Sequence, residues 1–276
     1  MNKAANGKIE IVNAGKIYDP AGIHVVAVEN CSFNLEAGQF VSVVGPSGCG
    51  KSTLLNTIAG FDTITSGEIL MDGELLASPE IQTPPGPDRV VVFQGGALFP
   101  WKTVSENIIY GPVIQKNMER PEAEKMAISL LNRVGLTKVE TKYPSELSSG
   151  VQRRVEILRA LINQPKIMML DEPFRALDAV AKSVMHNFLL ELFDENPRTM
   201  FFITHDLDEA IYLSDLVVVM TTRPAKVKKI IKIDLPRPRR LDVIKTEIYR
   251  SVKADLLSIV HEEALKAFKA GEREMA

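Results

Sequence analysis

Gly45-Pro46-Ser47-Gly48-Cys49-Gly50-Lys51-Ser52-Thr53 is the stretch on which the fold turns. An apolar, β-branched run, Phe40-Val41-Ser42-Val43-Val44, precedes it, and an amphipathic segment, Ser52 to Ala59, follows. A strand therefore feeds a glycine-rich turn that feeds a helix, the context in which the pattern G-x-x-x-x-G-K-[ST] has a physical meaning. The glycines let successive backbone N–H groups face an anion, and the helix N-terminus adds the positive end of its dipole. Lys51 supplies a point charge for β- and γ-phosphates, and the Ser52 hydroxyl is a ligand for Mg²⁺. Taken alone, the stretch points to a nucleoside triphosphate and no further; the bland alternative is a chance glycine-rich turn before a helix.

Around this centre, 276 residues give room for one large domain or a domain with an appendage. A chain that is 45% hydrophobic and 25% charged is ordinary for a globular protein and argues against disorder. The net charge of −2 gives no overall electrostatic footprint for nucleic acid. Two cysteines, Cys31 and Cys49, are too few for a disulfide framework, so a reducing cytoplasm is the expected compartment. Met1 to Gly7 lacks the apolar core of a signal peptide, and no stretch reaches the ~18–20 apolar residues of a membrane span. Any membrane role is expected to come through a partner.

Upstream of the loop, Lys8 to Val12, His24 to Val28 and Cys31 to Leu35 read as strands of an antiparallel opening. Tyr18 stands in a turn-like context before Asp19-Pro20, either a strand-end tyrosine or a ring on which a base stacks. Downstream, Gly67 to Gly73 reads as a strand ending in an Asp-Gly turn, and Gln82 to Pro87 as a proline-rich loop. Three further apolar strands each deliver polar residues to their carboxyl ends, where open α/β sheets bind ligands. Arg89 to Phe93 delivers Gln94, either a loop glutamine or a contact to a metal or water. Lys166 to Leu170 delivers Asp171 and Glu172. Two adjacent carboxylates there need compensation; Asp171 is suited to support a metal and Glu172 to polarise a water, and the alternative is an acidic helix cap. Met200 to Thr204 delivers His205, and Leu216 to Met220 closes the sheet. Between Thr103 and Asn163 the pattern is helical, with a helix starting near Ser148-Ser149-Gly150; its Arg153, Arg154 and Arg159 are expected on a solvated face.

Taken together these residues resemble the ATP-binding subunits of ABC transporters. Gly45 to Ser52 corresponds to Walker A, Gln94 to the Q-loop and Leu147-Ser148-Ser149-Gly150-Val151-Gln152 to the signature. Ile167 to Asp171 is similar to Walker B, with Glu172 after it, Ala176-Leu177-Asp178 to the D-loop, and His205 to the switch histidine. The order and spacing hold from about residue 8 to 225. The phrases Gly86-Pro87-Asp88-Arg89, Phe93-Gln94 through Trp101, and Thr204 through Asp215 are most similar to the nitrate, sulfonate and taurine importer ATPases.

The resemblance implies an α/β P-loop NTPase with a RecA-like core sheet, an antiparallel β subdomain and an α-helical signature subdomain at about 97–163. The ATP-binding unit would span 8–225, with 226–276 as a basic linker and a C-terminal amphipathic helix. It implies a homodimer, head to tail, that sandwiches two ATP molecules. Ser148 and Gly150 of one copy would then complete the γ-phosphate site of the other. Tyr18 falls where the family stacks adenine. Gln94 would join Ser52 and Asp171 around Mg²⁺, Glu172 would act as general base, and His205 would hold the γ-phosphate and the attacking water. Expected partners are integral membrane permease subunits with a separate solute-binding protein, at the cytoplasmic face of the inner membrane, with no nucleic acid and no membrane span of its own.

The signature departs from the family pattern at Ser149, where a glycine is usual, at Val151, at Arg153 and at Glu156. A Cβ at Ser149 is expected to restrict φ and to slow hydrolysis. This keeps a second reading open, a nucleotide-sensing subunit with impaired hydrolysis; a third, a non-transport ABC ATPase acting on nucleic acid, lacks the expected tandem domains or coiled-coil insertions. By the same resemblance Phe99-Pro100-Trp101 would lie beside the groove for the permease, with Trp101 facing the partner or forming a wall of that groove; the alternative is plain core packing. From Arg223 to Arg240 the chain carries eight Lys/Arg against one Asp, then an amphipathic pattern from Val243 to Phe268.

Overall fold

A computed structural model describes residues 6–19 and 22–269. Pro20, the signal-peptide reading of the first five residues and the last seven residues of the extension lie outside the described residues.

Two sheets organise the chain. The larger has the order β10-β9-β3-β8-β7-β6. Its strands are β3 (Phe40–Val44), β6 (Arg89–Val92), β7 (Ile167–Asp171), β8 (Thr199–Ile203), β9 (Leu216–Met220) and β10 (Val227–Lys232). The first five are parallel to one another, and β10 joins β9 antiparallel at the edge. Every residue of β3, β7 and β8 is buried, as central parallel strands covered on both faces require. Alternation assigns the two faces. Val41, Val43, Ile167, Met169, Phe201 and Ile203 pack with Leu54, Leu55 and Ile58 of α1 (Lys51–Ala59). Phe40, Met168, Leu170 and Phe202 pack on the opposite side with α4 (Ser149–Leu161) and α5 (Ala179–Glu195).

The second sheet is antiparallel, in the order β2-β1-β4-β5. Its strands are β1 (Ile9–Tyr18), β2 (Val25–Leu35), β4 (Ser66–Met71) and β5 (Glu74–Ala77). The segments around His24 and Cys31, read from sequence as two strands, are one: Asn30 takes φ 47° and bends β2 without ending it. Tyr18 is the last residue of β1. Asp72 and Gly73, both at positive φ, make the turn from β4 into β5.

The helical segment holds α2 (Val104–Ile114), α3 (Arg120–Arg133) and α4. Thr103 and Glu106 form a reciprocal capping box on α2, which fixes where this segment leaves the sheet. α6 (Leu207–Leu213) follows β8, and α7 (Glu247–Lys269) ends the described chain.

Three expectations change beyond residue 215. β9 does not close the sheet, because 227–232, expected within a basic linker, pair with it as β10. Two of the basic residues, Arg237 and Arg239, are held by partners within the domain, while Lys226, Lys228, Lys229, Lys232 and Arg240 remain exposed. Arg239 Nη1 donates to the carbonyls of Ile211, Tyr212 and Ser214, satisfying the orphan acceptors at the end of α6, and Arg237 pairs with Asp215 and Asp194. Burial lowers the Arg239 guanidinium to about 10. A run of like charge along the sequence thus hid individual, locally satisfied partners. Finally, the amphipathic helix starts at Glu247, after a short 3₁₀ turn over Leu241–Lys245, and docks on the domain through Tyr249, Leu256 and Glu263. Among the described residues no helix is long and apolar enough to cross a membrane.

Candidate functional site

The carboxyl ends of β3, β6, β7 and β8 lie side by side in the sheet, so the loops leaving them share one edge. A cavity there is lined by Tyr18, Ser47 to Gly48, Gly50 to Thr53, Gln94, Glu172, Arg175, His205 and Arg223. Gly45 and Cys49 are buried beneath the loop, and Pro46 is half-buried. Lys51 Nζ donates to the Gly45 and Pro46 carbonyls, both at 2.8 Å, which holds its ammonium inside the loop. Gly50 has φ 126°, and a Cβ there would fall 2.6 Å from the Ala27 carbonyl oxygen, so only glycine turns the chain into α1 at this point. Burial pushes the Cys49 thiol above its ordinary value, which keeps it a packing residue.

Three of the sequence-identified polar residues meet directly. Gln94 Nε2 donates to Glu172 Oε2 at 2.9 Å, and His205 Nδ1 lies 3.5 Å from Glu172 Oε1. Glu172 is past the end of β7 with φ 45°, a conformation a non-glycine residue adopts at a cost of order 1–3 kcal/mol. Its backbone N–H donates to the Ile203 carbonyl, tying the end of β7 to β8. His205 stands between two anchored neighbours: Asp206 accepts from the Asp208 and Glu209 amides as the cap of α6, and Thr204 Oγ1 donates to Glu209. Asp171 is nearly buried beside the Ser52 hydroxyl; burial raises its carboxyl, and that hydroxyl opposes the rise.

The Tyr18 ring forms part of the cavity wall, its hydroxyl donating to Asp62, which Lys16 also holds. The paired phenol leaves a ring face, not the hydroxyl, as what Tyr18 offers a ligand. Ser148 and Gly150 are not among the described residues that line this cavity. Ser148 is the N-cap of α4, accepting from the Val151 amide at 3.4 Å. Ser149 is the first helical residue and is absent from the positive-φ residues, so its Cβ brings none of the backbone restriction expected of it. A Cβ at Gly150 would meet only ordinary contacts, the nearest being Leu177 Cδ2 at 3.6 Å.

Sequence reasoning placed Arg153 on a solvated face, and there the structure disagrees. Arg153 and Glu156 are both buried and form an ion pair at 2.8 Å. α4 lies between the core sheet and α2, so it is buried nearly all round and has little outer face for charge. Removing one partner of a pair this buried costs about 3–5 kcal/mol. The available signal was the i,i+3 spacing of opposite charges. Sequence reasoning also missed two cavity arginines. Arg175 Nη1 lies 3.6 Å from Glu172 Oε2, and Arg223 Nη2 donates to the Gly48 carbonyl at 3.0 Å. Their positions depend on loop geometry that no periodicity encodes.

A phosphate-binding loop, a buried carboxylate beside its serine, and a glutamine, glutamate and histidine converging from three neighbouring strands define an ATP-binding cassette. The comparisons agree. Residues 28–175 match the ABC transporter family. An uncharacterized ABC transporter ATP-binding protein of Methanocaldococcus jannaschii is 43% identical over 95% of this chain and 94% of its own length. An aliphatic sulfonates import ATP-binding protein of Bacillus cereus is 42% identical over 84% of this chain and 88% of its own. A nitrate import ATP-binding protein of Synechocystis is 40% identical over 95% of this chain, which spans only 39% of that longer protein. A solved dimeric cassette in a post-hydrolysis state, bound to ADP and phosphate, superposes with a TM-score of 0.73 at 30% identity, over 83% of this chain and all of that one. The chain belongs to the ABC transporter family, and it is an ATPase of the ATP-binding cassette fold.

Proposed function

We propose that this chain is the ATP-hydrolysing subunit of an importer for a small solute, working as a head-to-tail homodimer in which each ATP lies between the phosphate loop of one copy and the α4 N-terminus of the other. The observation that carries the reading is the convergence of Gln94 and His205 on the Glu172 carboxylate, in the same cavity as the phosphate loop. In this reading Ser52, Gln94 and Asp171 hold Mg²⁺. A hydroxyl, an amide oxygen and one carboxylate are hard oxygen donors that suit it, and Gln94 keeps its Oε1 free while Nε2 holds Glu172. The ion's chemistry is to neutralise charge on the β- and γ-phosphates.

The chain's own residues do the rest. Lys51 and the loop amides bind the phosphates, and the Tyr18 ring covers the base. Glu172 accepts the proton of the attacking water, oriented by Gln94 on one oxygen and His205 on the other. His205, 60% exposed, has an imidazole face open to a γ-phosphate. The N-terminus of α4, capped by Ser148 and unobstructed at Gly150, supports the second half of the site: a capped helix start with a glycine has the form of an anion contact for another copy.

A groove bounded by Val90 to Phe93, Ala97, Tyr110, Gly111 and α4 is the surface we assign to a helix of the membrane permease. Trp101, 69% exposed and stacked on Phe99 at 5.5 Å, lies near it. The assignment places the protein peripherally at the cytoplasmic face of the membrane, with a solute-binding protein selecting the cargo. Nitrate and aliphatic sulfonates, named for two relatives, are both small oxyanions, and we assign the cargo to that class.

Glu172→Gln tests the reading. ATP turnover is expected to fall about 10²- to 10⁴-fold while affinity for a non-hydrolysable analogue is kept; turnover equal to wild type would show that Glu172 is not the base.

A further inference from the structure

The Arg153–Glu156 pair does more than neutralise two buried charges. Glu156 Oε1 accepts from the Ala97 amide at 2.8 Å, while Arg153 Nη1 donates to the Phe93 carbonyl. The two residues thus clasp both ends of the segment that carries Gln94. On its other edge the same guanidinium donates to the Pro173 carbonyl through Nε at 2.7 Å, and to the Asp171 and Glu172 carbonyls through Nη2 at 3.2 and 3.4 Å. It therefore holds the turn on which Glu172 leaves β7 at positive φ. A planar fork of five donors can span two backbone segments in this way; a lysine ammonium on a flexible stem cannot.

We propose that Arg153 and Glu156 are positioning residues for hydrolysis: they fix the 93–97 and 171–173 segments to each other through α4, and so set the Gln94 amide against the Glu172 carboxylate. Because Ser148 caps α4 and Glu156 also faces the groove, one rigid element connects three places: the signature end, the groove and the water-activating carboxylate. A displacement of α4 moves Gln94 and Glu172 together. The inference rests on the reading of Glu172 as general base.

The test uses the full chain and four variants: Arg153→Gln/Glu156→Gln, which removes both charges together; Arg153→Lys, which keeps the ion pair but loses the fork; Glu172→Gln; and the triple combination. Measured quantities are kcat and KM for ATP, single-turnover hydrolysis for the Glu172→Gln background, and equilibrium binding of a non-hydrolysable ATP analogue. The double variant is expected to lose about 10- to 100-fold in kcat, with analogue binding within about twofold, since the pair touches none of Lys51, Ser52 or the loop amides. Arg153→Lys is expected to lose several-fold in kcat at unchanged KM. In the Glu172→Gln background the double change is expected to add little, because both act on one step. An unchanged kcat in Arg153→Lys, or a full further loss in the Glu172→Gln background, overturns the proposal and leaves the base assignment standing. Undiminished hydrolysis by Glu172→Gln alone overturns the base assignment and the proposal with it.

Discussion

At Gly50 a β-carbon would lie 2.6 Å from the Ala27 carbonyl oxygen on a backbone at φ 126°; at Gly150 it would meet nothing nearer than a Leu177 methyl at 3.6 Å, on an ordinary helix start. The first glycine is demanded by its own chain, because β2 passes behind the phosphate loop. The second is demanded by nothing within its chain. A residue kept small without an internal reason fits a role in which something from outside approaches, and a second copy bringing a triphosphate is what the proposed dimer supplies. Helix stability points the same way, since glycine inside a helix costs roughly 1 kcal/mol relative to alanine.

The largest effect is expected at the internally constrained end. Gly50→Ala should lower affinity for an ATP analogue by about 100-fold or more and destabilise the fold by ~1–3 kcal/mol, since a positive φ and a backbone collision must both be relieved; calorimetric titration and denaturant melts measure the two. Gly150→Ala should dissociate these quantities. Its stability should equal wild type or rise by up to about 1 kcal/mol. Analogue binding to the monomer should be unchanged, while kcat falls about 10- to 100-fold through lost close approach. Normal turnover in Gly150→Ala would break the contrast between the two ends.

Ser148→Ala should cost about 0.5–1 kcal/mol, at the lower end for a cap because its bond to the Val151 amide is long at 3.4 Å. Smallest is the effect of acid on the docking of α7. Burial acts to raise the carboxyls of Asp208 and Glu263, but hydrogen bonds outweigh it and both end below their ordinary values: Lys253 and Tyr249 on Asp208, Lys266, the Thr222 amide and Lys228 on Glu263. A carboxylate whose folded value is depressed contributes stability above its unfolded value, near 4, and loses it as pH falls through the folded one. Hydrogen exchange over 247–269 should therefore be constant from neutral pH to about 4, after correction for intrinsic rates, and accelerate below it. Acceleration between pH 7 and 5 would remove these two carboxylates as the anchors of α7.

The sequence already carried the five parallel strands, because each is a short apolar run ending in polar residues, and it located Gln94, Asp171, Glu172 and His205 by that same rule. It also marked Ser148 as a helix start. What it could not show depends on contacts distant in the chain. Arg153 reads as surface until α4 is known to be enclosed, and the arginines of 237–239 read as a basic linker until the end of α6 is placed beside them. β10 was hidden because an edge strand exposes one face, so its lysines mask the alternation that its pairing with β9 reveals. The Ser149 expectation misjudged the backbone: a glycine in a motif suggests positive φ, and this position is simply helical.

The proposed shared site is tested most directly by mixing two impaired chains. Lys51→Ala disables a phosphate loop and keeps an intact α4 N-terminus; Gly150→Ala does the reverse. In a heterodimer one of the two sites joins the good loop to the good helix start. A one-to-one mixture should therefore recover about a quarter of wild-type turnover, with random pairing and independent sites. Turnover that remains at the sum of the two variants measured apart would contradict a site built from two copies.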